Sequence, residues 1–370
     1  MIFKICWEVD KNDVNFERRL ISFENIISAH RDRNHVVYCN RKIARKILNS
    51  NLLSLSGKKA LLEINESSRE YKEASKEISV VSHIIFDKED YIGNVKTEKQ
   101  TVIEISYDYF MCNLRTRPST LIPENDSDFE LFNIIGESYL KSCSNHHFGI
   151  KFEKNCGYGS HTFKVYSDYK SQNRFALCIV DSDSKYPGAP LGSTARPFLN
   201  LGFSVENTVE AKLLTVREAE SLLPDDVIES ALVEGNYSAG MVDILEKVKK
   251  LDQDSKGIFR QYFDHKDGIS LKQALQPKLV GFWKPHFAQE RTLPVKPCYK
   301  SNICDDCGSC IKLEGFGERI LENSLNTMAR SNKRNLITRL SGGIKEEWES
   351  IGVKMLAWGC IPSPRRARVS

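Results

Sequence analysis

One stretch of the sequence decides the expected fold: Arg174-Phe-Ala-Leu-Cys-Ile-Val-Asp-Ser-Asp-Ser-Lys-Tyr-Pro-Gly-Ala-Pro-Leu-Gly-Ser-Thr-Ala-Arg196. Its residues 175–180 are apolar and rich in strand formers, which predicts a strand buried on both faces of a parallel sheet. The strand stops at the Asp-Ser-Asp segment 181–183, and a Pro-Gly turn follows at 187–188. Because ligands of open α/β sheets bind beyond the carboxyl ends of the strands, we expect chemistry at these residues.

Asp181 and Asp183 are candidates for a metal site. Residues two apart along a strand point the same way, so both carboxylates can enter one crevice. Two close carboxylates repel each other unless one is protonated or a cation lies between them, and Mg²⁺ suits such a pair. The alternative is that this segment caps the next element or solvates a loop.

Composition sets the broad class of the protein. The chain has 370 residues, of which 41% are hydrophobic and 28% charged, and this predicts a soluble globular protein of two or three domains. The net charge of +4 is too small to indicate nucleic-acid binding by itself. The sequence shows no signal peptide and no apolar run of membrane-spanning length, and its eleven cysteines fit reduced thiols. We therefore expect a cytoplasmic protein without membrane contact.

The chain is expected to divide into three parts. Residues 1–113 form an N-terminal α/β or α+β accessory domain, residues 118–235 the central domain, and residues 236–370 a mostly helical C-terminal region. In the first part, strands are predicted at Val36–Cys39, Lys59–Ile64 and Thr101–Tyr107. This part shows no catalytic constellation, because its histidines are isolated in the sequence: His30, His35 and His83.

Two further strands of the central domain stop at acidic residues. The strand Thr120–Ile122 is followed by Glu124, and a helical pattern starts at once, so that Asp128 also suits the first turn of a helix. The strand predicted at Ala211–Val216 runs into two more carboxylates, Glu218 and Glu220. In a doubly wound unit, three such endings place carboxylates along one edge of the sheet.

This order of motifs resembles the TOPRIM domain, the metal-binding fold of primases, type IA and type II topoisomerases and OLD-family nucleases. The similarity covers about residues 118–235 and includes the segment Arg217-Glu-Ala-Glu-Ser-Leu222, which is similar to the Arg-Glu-x-Glu-Asn segment of OLD-like nucleases. It implies a doubly wound, mostly parallel sheet. The chain departs from the pattern at Ser221, where such segments often carry Asn, and it lacks the Gly-x4-Gly-Lys-Ser/Thr loop of the ATPase half of OLD proteins.

The resemblance also implies roles for the acidic residues. Glu124 would be the general acid/base or a metal ligand, and Asp181 and Asp183 would hold Mg²⁺ or Mn²⁺. A second ion would be supported by the remaining carboxylates, Asp128, Glu218 and Glu220. A topoisomerase or a primase is disfavoured, because neither a strand-cleaving tyrosine nor a nucleotide-handling segment stands out in the sequence.

A second metal site is predicted in the C-terminal region. Four cysteines fall within residues 298–310, and the last three have the spacing Cys-x2-Cys-x2-Cys: Cys298, Cys304, Cys307 and Cys310. Four thiolates suit tetrahedral Zn²⁺ in a closed structural site. An iron–sulfur cluster and an unmetallated loop are the alternatives, although the fourth cysteine and proline typical of cluster-binding runs are absent downstream.

Together these features predict a Mg²⁺- or Mn²⁺-dependent endonuclease that hydrolyses phosphodiester bonds of DNA or RNA, with DNA favoured. Lys266 is a candidate for stabilising charge on the phosphate, and a surface turn of mixed charge is the alternative. The resemblance implies a bacterial anti-phage setting and a separate ATPase subunit as partner. The rival class is a non-catalytic nucleic-acid-binding or assembly subunit that uses the same scaffold.

Overall fold

The computed structural model describes residues 1–7, 10, 12–143, 147–235, 237, 239–289, 297–304 and 310–363. Within these residues the chain has an α/β architecture, with two five-stranded sheets whose strands are mostly parallel and with many helices. The expected α/β class is therefore confirmed. No helix in this part of the chain is both long enough and apolar enough to cross a bilayer.

The first sheet has the strand order β2-β1-β3-β5-β4, and its strands are parallel except for β4. Its strands are β1 (Ile2–Cys6), β2 (Val36–Cys39), β3 (Val80–Ile85), β4 (Ile92–Lys96) and β5 (Thr101–Ser106). The helices that connect them are α1 (Phe16–Arg31), α2 (Arg41–Leu48) and α3 (Leu55–Ala74).

One strand predicted in this region is wrong. Residues Lys59–Ile64 lie inside α3, where the buried residues recur at helical spacing: Ala60, Leu61, Ile64, Ser68 and Tyr71. The hydroxyl of Ser54 accepts the backbone N–H of Gly57 at 3.1 Å and begins the helix. A short apolar run fits a strand or a buried helix equally well, and only the longer pattern separates the two.

The second sheet has the strand order β10-β11-β9-β6-β8, with only β10 antiparallel to its neighbour. The strands of this region are β6 (Thr120–Ile122), β7 (Phe148–Ile150), β8 (Glu153–Lys154), β9 (Ala176–Val180), β10 (Val205–Glu206) and β11 (Val209–Leu213). Its helices are α4 (Asp126–Ser142), α5 (Thr162–Ser171) and α6 (Asp225–Glu234). The prediction of a strand at 211–216 is displaced, because β11 ends at Leu213.

The central strand β9 is buried along its whole length, as its apolar sequence predicts. One of its faces, with Leu177 and Ile179, joins the main core of the molecule. The other face, with Cys178 and Val180, packs in a second core that includes Phe198. Burial on both faces fixes the position of the residues that follow the strand.

The remaining described chain is mostly helical. Its elements are α7 (Ala239–Asp254), α8 (Phe259–Tyr262), β12 (Gly268–Ser270), α9 (Leu271–Ala274), α10 (Val280–Gln289), α11 (Pro297–Ser301), β13 (Lys312–Glu314), α12 (Ile320–Arg330), α13 (Lys333–Thr338), α14 (Gly342–Gly359) and β14 (Cys360–Pro362). Helix α14 packs along α4, and β14 pairs with β7. The division into three domains stays a prediction, since apolar residues of all three parts share the main core.

Candidate active site

The carboxyl ends of β6, β9 and β11 meet at one edge of the second sheet. Both β6 and β11 run parallel to β9, with Thr120 and Val209 in register with Ala176. The residues that follow the three strands therefore lie side by side. Glu124 and Asp181 are in direct contact, because Oε1 of Glu124 accepts the backbone N–H of Asp181 at 3.0 Å.

Six carboxylates at this edge interact electrostatically, and we refer to them as the acidic cluster: Glu124, Asp128, Asp181, Asp183, Glu218 and Glu220. Every acidic residue predicted for the site belongs to it. The sequence therefore predicted which carboxylates converge, while their role as metal ligands stays a prediction.

Asp128 is positioned by the helix that follows β6. It lies in the first turn of α4, and its Oδ2 accepts the backbone N–H of Asn125 at 3.0 Å. This contact is the helix-start role expected as the alternative. The side chain is nevertheless buried beside the other carboxylates. Asp128 therefore both stabilises the start of α4 and belongs to the acidic cluster.

Asp183 is held in an unusual backbone conformation. Its φ is +52°, in the left-handed region that non-glycine residues rarely adopt. Its N–H donates to the carbonyl of Arg217 at 2.9 Å. The carboxylate lies against Gly192, where a Cβ atom would be only 2.0 Å from Oδ2 of Asp183. Glycine at 192 is therefore required for this position of the carboxylate.

Glu218 and Glu220 enter the cluster from the segment beyond β11. Glu218 precedes a short 3₁₀ helix at 219–222, and its Oε1 accepts the backbone N–H of His265 at 2.8 Å. Glu220 is only 3% exposed. Its Oε1 lies 2.8 Å from Nζ of Lys266. Lys266 thus contacts the acidic cluster from a half-exposed turn of mixed charge, and its role at a phosphate stays a prediction.

Burial and mutual repulsion raise the pKa values of the carboxylates beyond β6 and β9. The pKa of Asp181 lies well above its usual value, first because of burial and then because of the charges of Asp128 and Glu124. Burial likewise raises the pKa of Glu124 to about 7, and the nearby Asp183 adds to the shift. The pKa of Asp128 is also raised to about 7, by burial and then by Glu220. Burial together with neighbouring carboxylates therefore favours the neutral forms of all three groups.

The same causes act on the residues beyond β11. Burial raises the pKa of Glu218 to about 7, with a further contribution from Asp264. The pKa of Glu220 is raised by burial and by Glu218, while Lys266 opposes this shift. For Lys266 burial favours the neutral amine, but the contact with Glu220 outweighs it and raises the pKa, so the ammonium stays charged.

Two neighbours of the cluster, Thr194 and Asp264, were not predicted from the sequence. The Thr194 hydroxyl forms a hydrogen bond with the Glu124 carboxylate. Asp264 forms an ion pair with Arg217 beside Glu218. Asp264 could have been identified from its proximity in the chain to Lys266, a predicted site residue. Nothing in the sequence indicates that Thr194 belongs to the site. His265 is fully buried and burial lowers its pKa to about 3, so its imidazole is neutral.

The chemistry of the acidic cluster fits a hard divalent cation, because carboxylate oxygens are the protein ligands of Mg²⁺ and Mn²⁺. A cation would also relieve the repulsion that raises these pKa values. Among the described residues, however, no three His, Cys, Asp or Glu side chains are already arranged to hold a metal ion. Glu124 is turned to a backbone N–H and Glu220 to Lys266, so ligation requires side-chain rotation.

The predicted cysteine site is only partly described. Cys307 lies outside the described residues. Cys298 and Cys304 are half-buried, and Cys310 is exposed and accepts the backbone N–H of Lys272 at 3.3 Å. The zinc site stays a prediction.

No protein-family model, curated protein or solved structure matches this chain. The acidic cluster at the carboxyl edge of the second sheet is therefore the main basis for a functional assignment.

Proposed function

We propose that the protein is a TOPRIM-type, Mg²⁺- or Mn²⁺-dependent endonuclease. The observation that supports this most is the convergence of six carboxylates from three parallel strands at one sheet edge. Structural carboxylates are seldom buried together without cations, because each neighbouring negative charge costs free energy. A role in binding and activating a phosphodiester would account for this unfavourable arrangement of carboxylates.

In this proposal the acidic residues divide into two groups. Asp181 and Asp183 would hold one divalent ion, and the remaining carboxylates, Asp128, Glu218 and Glu220, would support a second. Glu124 would be either the general acid/base or a further metal ligand. Divalent ions bound there would supply activation of the attacking water and stabilisation of charge on the phosphate. Glu124 suits proton transfer, because its pKa of about 7 allows both protonation states near neutral pH. Lys266 leaves Glu220 and contacts the phosphate oxygens.

The substrate that we propose is nucleic acid, DNA in preference to RNA. The proposal includes a separate ATPase subunit and an anti-phage role, both supported by the resemblance of the strand-end motifs to OLD-like nucleases. We also propose a structural zinc ion at the cysteines, supported by their spacing: Cys298, Cys304, Cys307 and Cys310.

The test is cleavage of plasmid DNA and of labelled single-stranded RNA with Mg²⁺ or Mn²⁺. Glu124→Gln and Asp181→Asn each remove one carboxylate with little change of shape, and each should lower the cleavage rate at least about a hundredfold. Glu130→Gln, an exposed residue of α4, should leave the rate unchanged. Cleavage that persists in both site variants and in EDTA would falsify the proposal.

The alternative is a non-catalytic nucleic-acid-binding or assembly subunit. One observation favours it, because the described carboxylates are not arranged to hold a metal ion as they stand. Such a protein would retard nucleic acid on a gel, lose it as salt rises, and cut neither DNA nor RNA with either cation.

A further inference from the structure

The first sheet has its own crevice at the carboxyl ends of its strands. The chain passes from β1 to β2 on one side and then to β3 on the other. In doubly wound sheets this reversal opens a crevice where ligands bind. A cavity of about 1280 Å³ lies there, and we refer to it as the first-sheet cavity. Its walls include the ends of β1, β2 and β3 and one side of α3.

A row of polar side chains crosses the floor of the first-sheet cavity. Lys4 is in register with Tyr38 on one side and with His83 on the other, and His83 is in register with Glu104. Residues in register on parallel strands share a face, and all four line the cavity. Parallel sheets are normally apolar on both faces, so this row indicates a face built for a polar occupant.

Several basic side chains in the cavity walls form no ion pair with any described residue. Arg41 begins α2, and Arg69 and Lys72 lie one turn apart on α3. None of these three side chains forms an ion pair within the described residues, and the same holds for Lys4. The neighbouring Glu73 pairs with Lys76. The cavity is lined by six Lys and Arg side chains and by four carboxylates, those of Asp10, Glu73, Asp87 and Glu104. The excess of positive charge favours an anionic ligand.

The cavity wall also holds an unused hydrogen-bond donor. The indole ring of Trp7 stacks on Phe86, with the ring centroids 4.8 Å apart and 13° between the planes. Trp7 is only 3% exposed, and its Nε1–H has no hydrogen-bond partner within the described part of the chain. A buried donor without a partner costs free energy. Because Trp7 lines the cavity, an acceptor on a bound ligand is one partner that could satisfy this donor.

We infer that the first-sheet cavity binds a nucleoside polyphosphate. The phosphates contact Arg41, Arg69 and Lys72, because guanidinium and ammonium groups pair strongly with phosphate oxygens. The base and sugar lie over the polar row from Tyr38 to Glu104, which offers donors and acceptors. The volume exceeds that of most small-molecule sites and leaves room for all three parts of the ligand. This site is separate from the acidic cluster and does not depend on the proposed nuclease activity.

The first experiment measures ATP binding by calorimetry in EDTA, which keeps divalent cations away from the acidic cluster. The double variant Arg69→Gln/Lys72→Gln should weaken ATP binding at least about tenfold. Both residues are exposed, so the variant should remain folded. The control is Lys42→Gln/Lys59→Gln, which removes the same charge from exposed positions of α2 and α3 outside the cavity. Its affinity for ATP should stay within about twofold of the wild type.

A second measurement locates the ligand. ATP should change the tryptophan fluorescence of the wild type, and Trp7→Phe should abolish that change. Wild-type protein that does not bind ATP at millimolar concentration, or equal affinity in the double variant and the control, overturns the inference. Binding of a 5′-phosphorylated oligonucleotide but not ATP, with the same sensitivity to Arg69→Gln/Lys72→Gln, also overturns it and assigns the cavity to a nucleic-acid end.

Discussion

The two sheets of this protein share a plan and differ in the chemistry of their strand ends. In each, parallel strands surround a central strand and leave a crevice at the carboxyl edge. The strands of the first sheet end in Cys6, Cys39 and Ile85, with cations on the helices around them. The strands of the second lead to carboxylates. Both sheets leave a crevice, and the two proposed sites differ because carboxylates gather at one edge, whereas basic side chains outnumber carboxylates around the other.

The sheets also differ in how their faces are covered. In the second sheet, Lys212 of β11 forms a buried ion pair with Glu347 of α14 at 2.9 Å. Glu347 also accepts the Thr215 hydroxyl at 2.9 Å. In the first sheet, the polar row of Lys4 and His83 faces a cavity instead. A covered sheet can hold buried charges in fixed positions, whereas an open face can admit a ligand.

The largest expected effect is a loss of stability when the buried ion pair between the second sheet and α14 is broken. Glu347→Gln leaves the ammonium of Lys212 buried without a counter-ion and should lower the free energy of unfolding by about 3–5 kcal/mol. Urea denaturation measures it. Glu349→Gln is the control, because its contact with Lys345 on the same helix is exposed and 4.0 Å long, and its loss should cost less than about 0.5 kcal/mol. Equal costs for the two variants would show that α14 does not hold the second sheet in the way described.

A smaller effect, on the cleavage rate, is expected when the Asp183 carboxylate is displaced without the loss of a charge. Gly192→Ala places a methyl group against the Asp183 carboxylate, which must move. Cation-dependent cleavage should fall by about tenfold to a hundredfold, because misplaced catalytic groups lose rate steeply. Gly281→Ala is the control, since the position is exposed and nothing lies within 4 Å of its Cβ. If Gly192→Ala retained full activity at unchanged stability, the position of Asp183 would not matter for catalysis.

The smallest effect is a shift of the unfolding midpoint with pH and cations. Glu124, Asp128 and Glu218 have folded-state pKa values of about 7, above their usual values, so folding favours their neutral forms. The stability they contribute is present below about pH 4 and is lost as the pH rises through about 7.

Mn²⁺ should therefore raise the unfolding midpoint by a few degrees near pH 8 and by less near pH 5, because protonated carboxylates bind cations poorly. Scanning calorimetry of the wild type and Asp181→Asn measures this, and the variant should lose most of the gain. A Mn²⁺ shift that is independent of pH, or is the same in Asp181→Asn, would assign the cation to another place.

Part of the site could be predicted from the sequence because strand ends are a local property. The apolar run of β9 and the short run before Glu124 indicate buried strands, and parallel strands bring their carboxyl ends to one edge. The Lys266–Glu220 contact could not be predicted, because it depends on how the 264–268 loop docks. The hydrogen bond from Thr194 to Glu124 depends on the folding of the loop after β9.

The errors have equally specific causes. The run 59–64 fits a strand when read alone, and its position within the longer pattern of α3 makes it a helix. The limits of β11 follow from its pairing with β9, where Val209 faces Ala176. His83 is isolated in the sequence, and only the register of β1, β3 and β5 places it between Lys4 and Glu104.

By itself, the sequence determined the α/β class, the central strands and the carboxylates that follow them, because hydrophobic periodicity and the residues at strand ends depend only on positions close together in the chain. The tertiary structure alone decided which distant groups meet: Lys266 with Glu220, Lys212 with Glu347, and the polar row under the cations of α3. These contacts depend on strand order, register and docking, which are set by the packing of the whole core rather than by any one segment.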